Sequence, residues 1–138
     1  MAEQTLEQSV LAYVAAWNTT DSTARRELLE RSFAADGTYT DPAASVVGRV
    51  ALAEHLRVVA QRRPGASIAV TSPIDAHDGA GCFTGRLVAP DGATLREGID
   101  FVAADADGLL GEVRGFFGAY RAPAGESADH SSGLLSPS

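Results

Sequence analysis

The sequence predicts an α+β fold in which three N-terminal helices pack on one face of a curved antiparallel sheet. Apolar residues recur at helical spacing up to about residue 62 and in strand-like runs from Ser67 onward. The turn signals Asp78-Gly79, Pro90-Asp91-Gly92 and Asp105-Ala106-Asp107-Gly108 then divide the second half into antiparallel strands.

The first helix spans about residues 6–19. Leu6, Val10, Tyr13 and Trp17 share one face, and Thr5 and Gln8 have capping-box spacing. After Asn18-Thr19-Thr20, Asp21 or Ser22 caps a second helix, about 22–34, with Leu28, Leu29 and Phe33 as its stripe. Ala35-Asp36-Gly37 ends it. Thr38-Tyr39-Thr40 is a short strand stopped by Asp41-Pro42, because proline lacks an amide donor and restricts its neighbour. A loop to Gly48 leads into a third helix, about 49–62, carrying Leu52, Leu56 and Val59. Strands are expected at 67–71, 82–89, 94–104 and 109–120. Residues 1–121 are expected to form the domain, and the Pro-, Gly- and Ser-rich segment 122–138 a disordered tail.

The 138 residues suit one domain, with 45% hydrophobic and 21% charged residues. A net charge of −7 repels phosphate, which argues against nucleic acid and anionic membranes as partners. The lone Cys82 excludes an internal disulfide and reads as a buried structural thiol. No apolar run reaches membrane-spanning length. Met1 to Gln8 carries two acids and no base, unlike a signal peptide, so a cytoplasmic location is expected.

The chain has no phosphate-binding glycine loop, nucleophile elbow or Cys-pair metal site. His55 reads as a helix-surface residue, His77 lies near a turn, and His130 is in the tail, so no metal site is expected. Three polar residues stand out. Tyr13 lies on an apolar stripe, where its hydroxyl needs a partner. Asp41 ends a strand before proline. Asp100 sits inside a strand, where Asp is disfavoured and costly to bury unpaired. Each also has a plain structural reading: Asp41 as a turn cap, Asp100 as a solvent-facing residue, Tyr13 as core with its hydroxyl at the rim.

Together, Tyr13-Val14-Ala15-Ala16-Trp17-Asn18, Tyr39-Thr40-Asp41-Pro42, Gly98-Ile99-Asp100-Phe101, Asp107-Gly108 and Gly115-Phe116-Phe117-Gly118 resemble bacterial ketosteroid isomerase and the SnoaL-like group of the NTF2-like superfamily. The resemblance covers about residues 6–118 and implies the NTF2-like cone. It implies that Asp41 is a general base, that Tyr13 donates a hydrogen bond to the substrate oxygen, and that a protonated Asp100 is the second donor. A dry pocket with two such donors stabilises an enolate, while the base moves the proton. No cofactor or metal is implied. The family's supporting tyrosine on the third helix is replaced by Leu56, and the segment between Tyr13 and Asp41 is longer.

Strand parity adds candidates. If Asp100 points inward, so do Gly98 and Val102, with Val113, Gly115 and Phe117 on the last strand. Trp17, Leu56, Val102, Val113 and Phe117 are therefore the candidate substrate contacts. Ile99, Phe101 and Phe116 would face outward, and an apolar outer face predicts a homodimer. Arg86 and Arg96 read as outward and solvated. The leading expectation is a cofactor-independent isomerase or cyclase acting on a hydrophobic carbonyl compound, steroid- or polyketide-like. Two alternatives stand beside it. One is an epoxide hydrolase or dehydratase, the former needing Arg86 or Arg96 to reach Asp100. The other is a non-catalytic, small-molecule-binding dimer.

Overall fold

The structure, a computed structural model, describes residues 4–118. The proposed tail and His130 lie outside the described residues. Helix α1 spans Leu6–Asn18, α2 Ser22–Glu30 and α3 Arg49–Arg62. The capping box forms as the sequence predicts: Thr5 Oγ1 accepts from the Gln8 amide (3.1 Å), and Gln8 Oε1 accepts from the Thr5 amide (2.9 Å). Asp21 caps α2 through the Ala24 amide (2.8 Å). The buried Arg25 of α2 donates to the carbonyls of Ala16 (3.3 Å) and Thr19 (2.6 Å), satisfying the open C-terminal end of α1.

Seven strands follow: β1 Phe33–Asp41, β2 Ala44–Val47, β3 Ser67–Val70, β4 Asp75–His77, β5 Ala80–Val88, β6 Thr94–Ala104 and β7 Leu110–Phe117. They form one sheet in the order β2-β1-β7-β6-β5-β3, with β4 paired to β5. All pairs are antiparallel except β1 with β7, which is parallel, so the sheet is mixed rather than antiparallel as expected.

Four boundaries differ from the sequence reading. Helix α2 ends at Glu30, and Phe33 opens β1. Phe33 lies four residues after Leu29, so its burial fits a helical stripe as well as a strand. Asp36-Gly37 does not terminate an element but marks a register shift between Phe33 and Thr38. The expected loop after Asp41 is a hairpin turn at Pro42-Ala43, with Asp41 opposite Ala44. Strand β4 has three exposed residues and no apolar signal; it closes onto β5 through Asp78 and Gly79, both at positive φ (53° and 78°).

The core lies between helices and sheet. Val10, Leu29, Phe33, Leu52, Leu110 and Val113 are fully buried, joined by Tyr13, Leu56, Phe83 and Val102. Asn18 pins the end of α1 to β3, accepting from the Ile68 amide (2.7 Å) and donating to its carbonyl (3.0 Å). On the outer sheet face Phe101 and Phe116 are about half exposed and meet edge to face at 5.7 Å. Cys82, opposite Phe101, is half-buried rather than buried as expected. No helix among the described residues is long and apolar enough to cross a membrane.

Candidate functional site

The inner face of the sheet carries a lateral row across four strands. Thr40 of β1 is level with Arg114 of β7, so Asp41 comes level with Gly115. Gly115 pairs with Asp100 of β6, and Asp100 pairs with Phe83 of β5. Side chains in register on one sheet face are neighbours. The row therefore reads Asp41, Gly115, Asp100, Phe83, and the missing side chain at Gly115 leaves a gap between two carboxylates.

A Cβ at Gly115 would lie 2.8 Å from Asp100 Oδ1 and 3.6 Å from Asp41 Cβ. The glycine is what allows the carboxyl group of Asp100 to lean toward Asp41. In Gly115→Ala the flexible Asp100 side chain should swing aside. The expected outcome is ligand affinity reduced about tenfold or more, with thermal stability lowered by about 1–3 kcal/mol at most. Titration calorimetry and thermal melts on the same samples check it.

This row floors a cavity of about 550 Å³. Tyr13, Trp17, Tyr39, Asp41, His55 and Asp100 line it, and Tyr13 and Tyr39 are almost fully buried. Helix α1 supplies Tyr13 and Trp17, four residues apart and hence on one face, with their rings edge to face at 6.5 Å. Trp17 contacts Tyr39 and His55, both at 6.1 Å between ring centroids, and Tyr39 contacts His55 at 5.6 Å. Four rings thus wall the cavity beside the carboxylates, Tyr39 among them reaching Asp41 directly.

The two carboxyl groups are held differently. Asp41 is locked by two donors: the Tyr39 hydroxyl donates to Oδ2, and the Ala43 amide donates to Oδ1 (2.7 Å). Asp41 is thus both the turn cap and a cavity residue. Asp100 has no such anchor among the described residues, and burial, helped by the negative charge of Asp41, pushes its carboxyl group up from 3.8 to about 6. Burial, then the charge of Asp100, also raises the Tyr13 hydroxyl well above its ordinary value, so it is a neutral donor at any physiological pH. Burial raises Tyr39 likewise, followed by its neighbour Tyr13 and its bond to Asp41.

Of the residues singled out in the sequence, Tyr13, Trp17, Asp41, Asp100 and Phe117 line this cavity. Val102 and Val113 point to the same face but lie beneath it in the hydrophobic core. Leu56 is core and borders a smaller neighbouring cleft. His55, expected on the helix surface, lines the cavity with Val59 and Arg62. Their positions 55, 59 and 62 have the spacing of one helix face, adjacent to the Leu52–Leu56 stripe, and this was the available signal. Arg96, expected to point outward, shares inner-face parity with Gly98 and Asp100; its guanidinium sits 4.1 Å from the Phe117 ring centre. Arg86 is exposed as expected and donates to Thr94 Oγ1 (3.0 Å) at the cavity lip. His77 is exposed beside Asp78, away from the cavity. Among the described residues no His, Cys, Asp and Glu side chains cluster as a metal site.

No protein-family model matches the sequence, and no curated protein does. Solved structures do match. A SnoaL-like protein from Agrobacterium tumefaciens, named as a candidate isomerase, superposes with a TM-score of 0.78 at 29% identity, covering 82% of this chain and 97% of its own. A candidate SnoaL-like polyketide cyclase from Jannaschia sp. gives 0.65 at 17% identity, covering 83% and 86%. A protein with a ketosteroid isomerase-like fold from Catenulispora acidiphila, crystallised with trimethylamine, gives 0.64 at 18%, covering 81% and 85%. These similarities establish the scaffold as the NTF2-like cone expected from the sequence.

Proposed function

We propose, with the NTF2-like fold of this chain as the premise, that the protein is an acid–base isomerase or cyclase acting on a hydrophobic carbonyl compound. The observation that carries this reading is the row Asp41, Gly115, Asp100, with Tyr13 lining the same cavity. In this reading Asp41 takes a proton from the carbon beside the carbonyl. The C–H electrons move into a C=C bond, and negative charge collects on the carbonyl oxygen. Tyr13 and the protonated form of Asp100 donate to that oxygen. Asp41 then returns the proton to another carbon, or the enolate carbon attacks a second carbonyl within the substrate and closes a ring, the alkoxide formed from that carbonyl taking the proton back from Asp41. The chemistry uses protein groups alone, and the aromatic wall gives the apolar body of the substrate a surface to lie on.

The described residues contain no ion pair to Asp41 or Asp100, and an epoxide-hydrolase arrangement needs an arginine between them. We therefore keep the isomerase or cyclase reading. We further propose that the exposed Phe101 and Phe116 face is covered by a second copy of the chain.

The test is phenol binding. A phenol such as 2-naphthol mimics an enol, placing its hydroxyl where the oxyanion would sit. Fluorescence titration at pH 5, where Asp100 keeps its proton, should give clear binding that weakens by about fivefold in Tyr13→Phe and in Asp100→Leu, one hydrogen bond each. Binding unaffected by both substitutions would remove the oxyanion site from the proposal.

A further inference from the structure

The cavity is chemically graded. At its floor Tyr13 and Tyr39 are nearly inaccessible, whereas Arg62, Arg63 and Arg96 at its opening are exposed. All three line the cavity, and among the described residues none is in an ion pair. Arg96 is drawn over the Phe117 ring, a cation–π contact that holds the guanidinium at the opening rather than in bulk water. Arg62 and Arg63 reach the same opening from the end of α3. The other charges at the lip, Arg86 and Glu97, stand opposite each other in the β5–β6 register and offset one another. A chain with a net charge of −7 therefore gathers three arginines, unpaired among the described residues, at the entrance of this cavity.

The spacing along β6 sets the scale. Asp100, Gly98 and Arg96 share the inner face, and four residues of strand separate the first from the last by roughly 13 Å. Gly98 between them adds no side chain, and its neighbour on β7 is Phe117, the ring on which Arg96 rests.

We propose that the substrate is an amphipathic carbonyl compound carrying a carboxylate at the end remote from the reacting carbonyl. Arg96, with Arg62 and Arg63, receives that carboxylate while the carbonyl reaches Tyr13 and Asp100. This inference rests on the cavity being the ligand site and adds the substrate's charge and polarity to it. The arginines also orient the ligand, since the carboxylate cannot be buried beside Asp41 and Asp100 without repulsion.

Two phenols with the same ring system test it: 2-naphthol, and 6-hydroxy-2-naphthoate, which adds a carboxylate at the far end. The full chain should bind the naphthoate about tenfold more tightly at low salt, and the difference should shrink in high salt. Arg96→Ala should cut the preference to about twofold, and Arg96→Glu should reverse it in favour of 2-naphthol. All three arginines are exposed, so Arg62→Ala/Arg63→Ala and the Arg96 variants should fold; thermal melts verify this. Equal affinity for the two phenols, or a preference that survives Arg96→Glu combined with Arg62→Ala/Arg63→Ala, overturns the inference. If that happens while both phenols still depend on Tyr13 and Asp100, only the substrate charge is wrong. If neither phenol binds, both this inference and the proposed function fall.

Discussion

Asp41→Asn should lower the rate of α-proton exchange by roughly 10²–10⁴, the usual worth of a positioned general base. A suitable probe is 2-tetralone in D2O, with loss of its α-proton signal followed by NMR. Asparagine keeps the shape of the side chain; its Oδ1 can still accept from the Ala43 amide while its Nδ2 donates to the Tyr39 hydroxyl oxygen, so the turn at Pro42-Ala43 should persist. What it lacks is a basic oxygen. The loss should therefore fall on kcat, with 2-naphthol affinity nearly unchanged, because Asp41 receives the proton and does not bind the oxyanion. Tyr39→Phe is the graded companion. It removes one of the two donors that fix the carboxylate and should cost about tenfold through looser positioning. Exchange that proceeds at the wild-type rate in Asp41→Asn would place the base elsewhere, and His55, in the same cavity, would be the next residue to replace.

The sequence spoke most clearly where one residue type does one job. The capping box at Thr5, the cap at Asp21, the bounds of α3 and those of β6 follow from local rules and appear as expected. It misled where two structures share one pattern. Phe33 completes a helical stripe and equally opens a strand; the neighbouring Asp-Gly bulge looks like a terminator. The parallel pairing of β1 with β7 joins segments about seventy residues apart, and no local signal encodes it. The site behaved similarly. Asp100 was conspicuous because a strand interior rarely holds an acid, and period-2 parity then placed Gly98 and Gly115 on its face. Parity fixes a face but not a depth, so Val102 and Val113 sank into the core. His55 and Arg96 were missed because polar residues on an amphipathic element default to solvent, and only the tertiary fold reveals a cavity inside the cone that takes them.

Asp100→Asn should make the protein more stable at pH 8, and much less so at pH 4.5. Burial, with the charge of Asp41 behind it, raises the Asp100 carboxyl group from 3.8 to about 6 in the folded chain. Between those two values the folded state holds a proton that the unfolded state has released, so stability falls as pH rises through this window. Below about pH 3 both states are protonated and the acid costs nothing extra. Above about pH 6 the folded state must keep a carboxylate in an apolar cavity beside a second one, and the full penalty applies. The shift corresponds to about 3 kcal/mol. The cavity opens to solvent, and screening there reduces the realised penalty to about 2 kcal/mol. Asparagine carries no charge at any pH, so the substitution should raise Tm at pH 8 by about 5–10 °C and by only about a third as much at pH 4.5. Asp100→Leu, which removes the donor as well as the charge, should weaken phenol binding, and a gain in stability at pH 8 with a loss of ligand affinity is the joint signature expected of a carboxyl group kept in place for function. A Tm that does not respond to the substitution at pH 8 would mean that water reaches Asp100 freely, and its role as a proton-bearing donor would then be untenable.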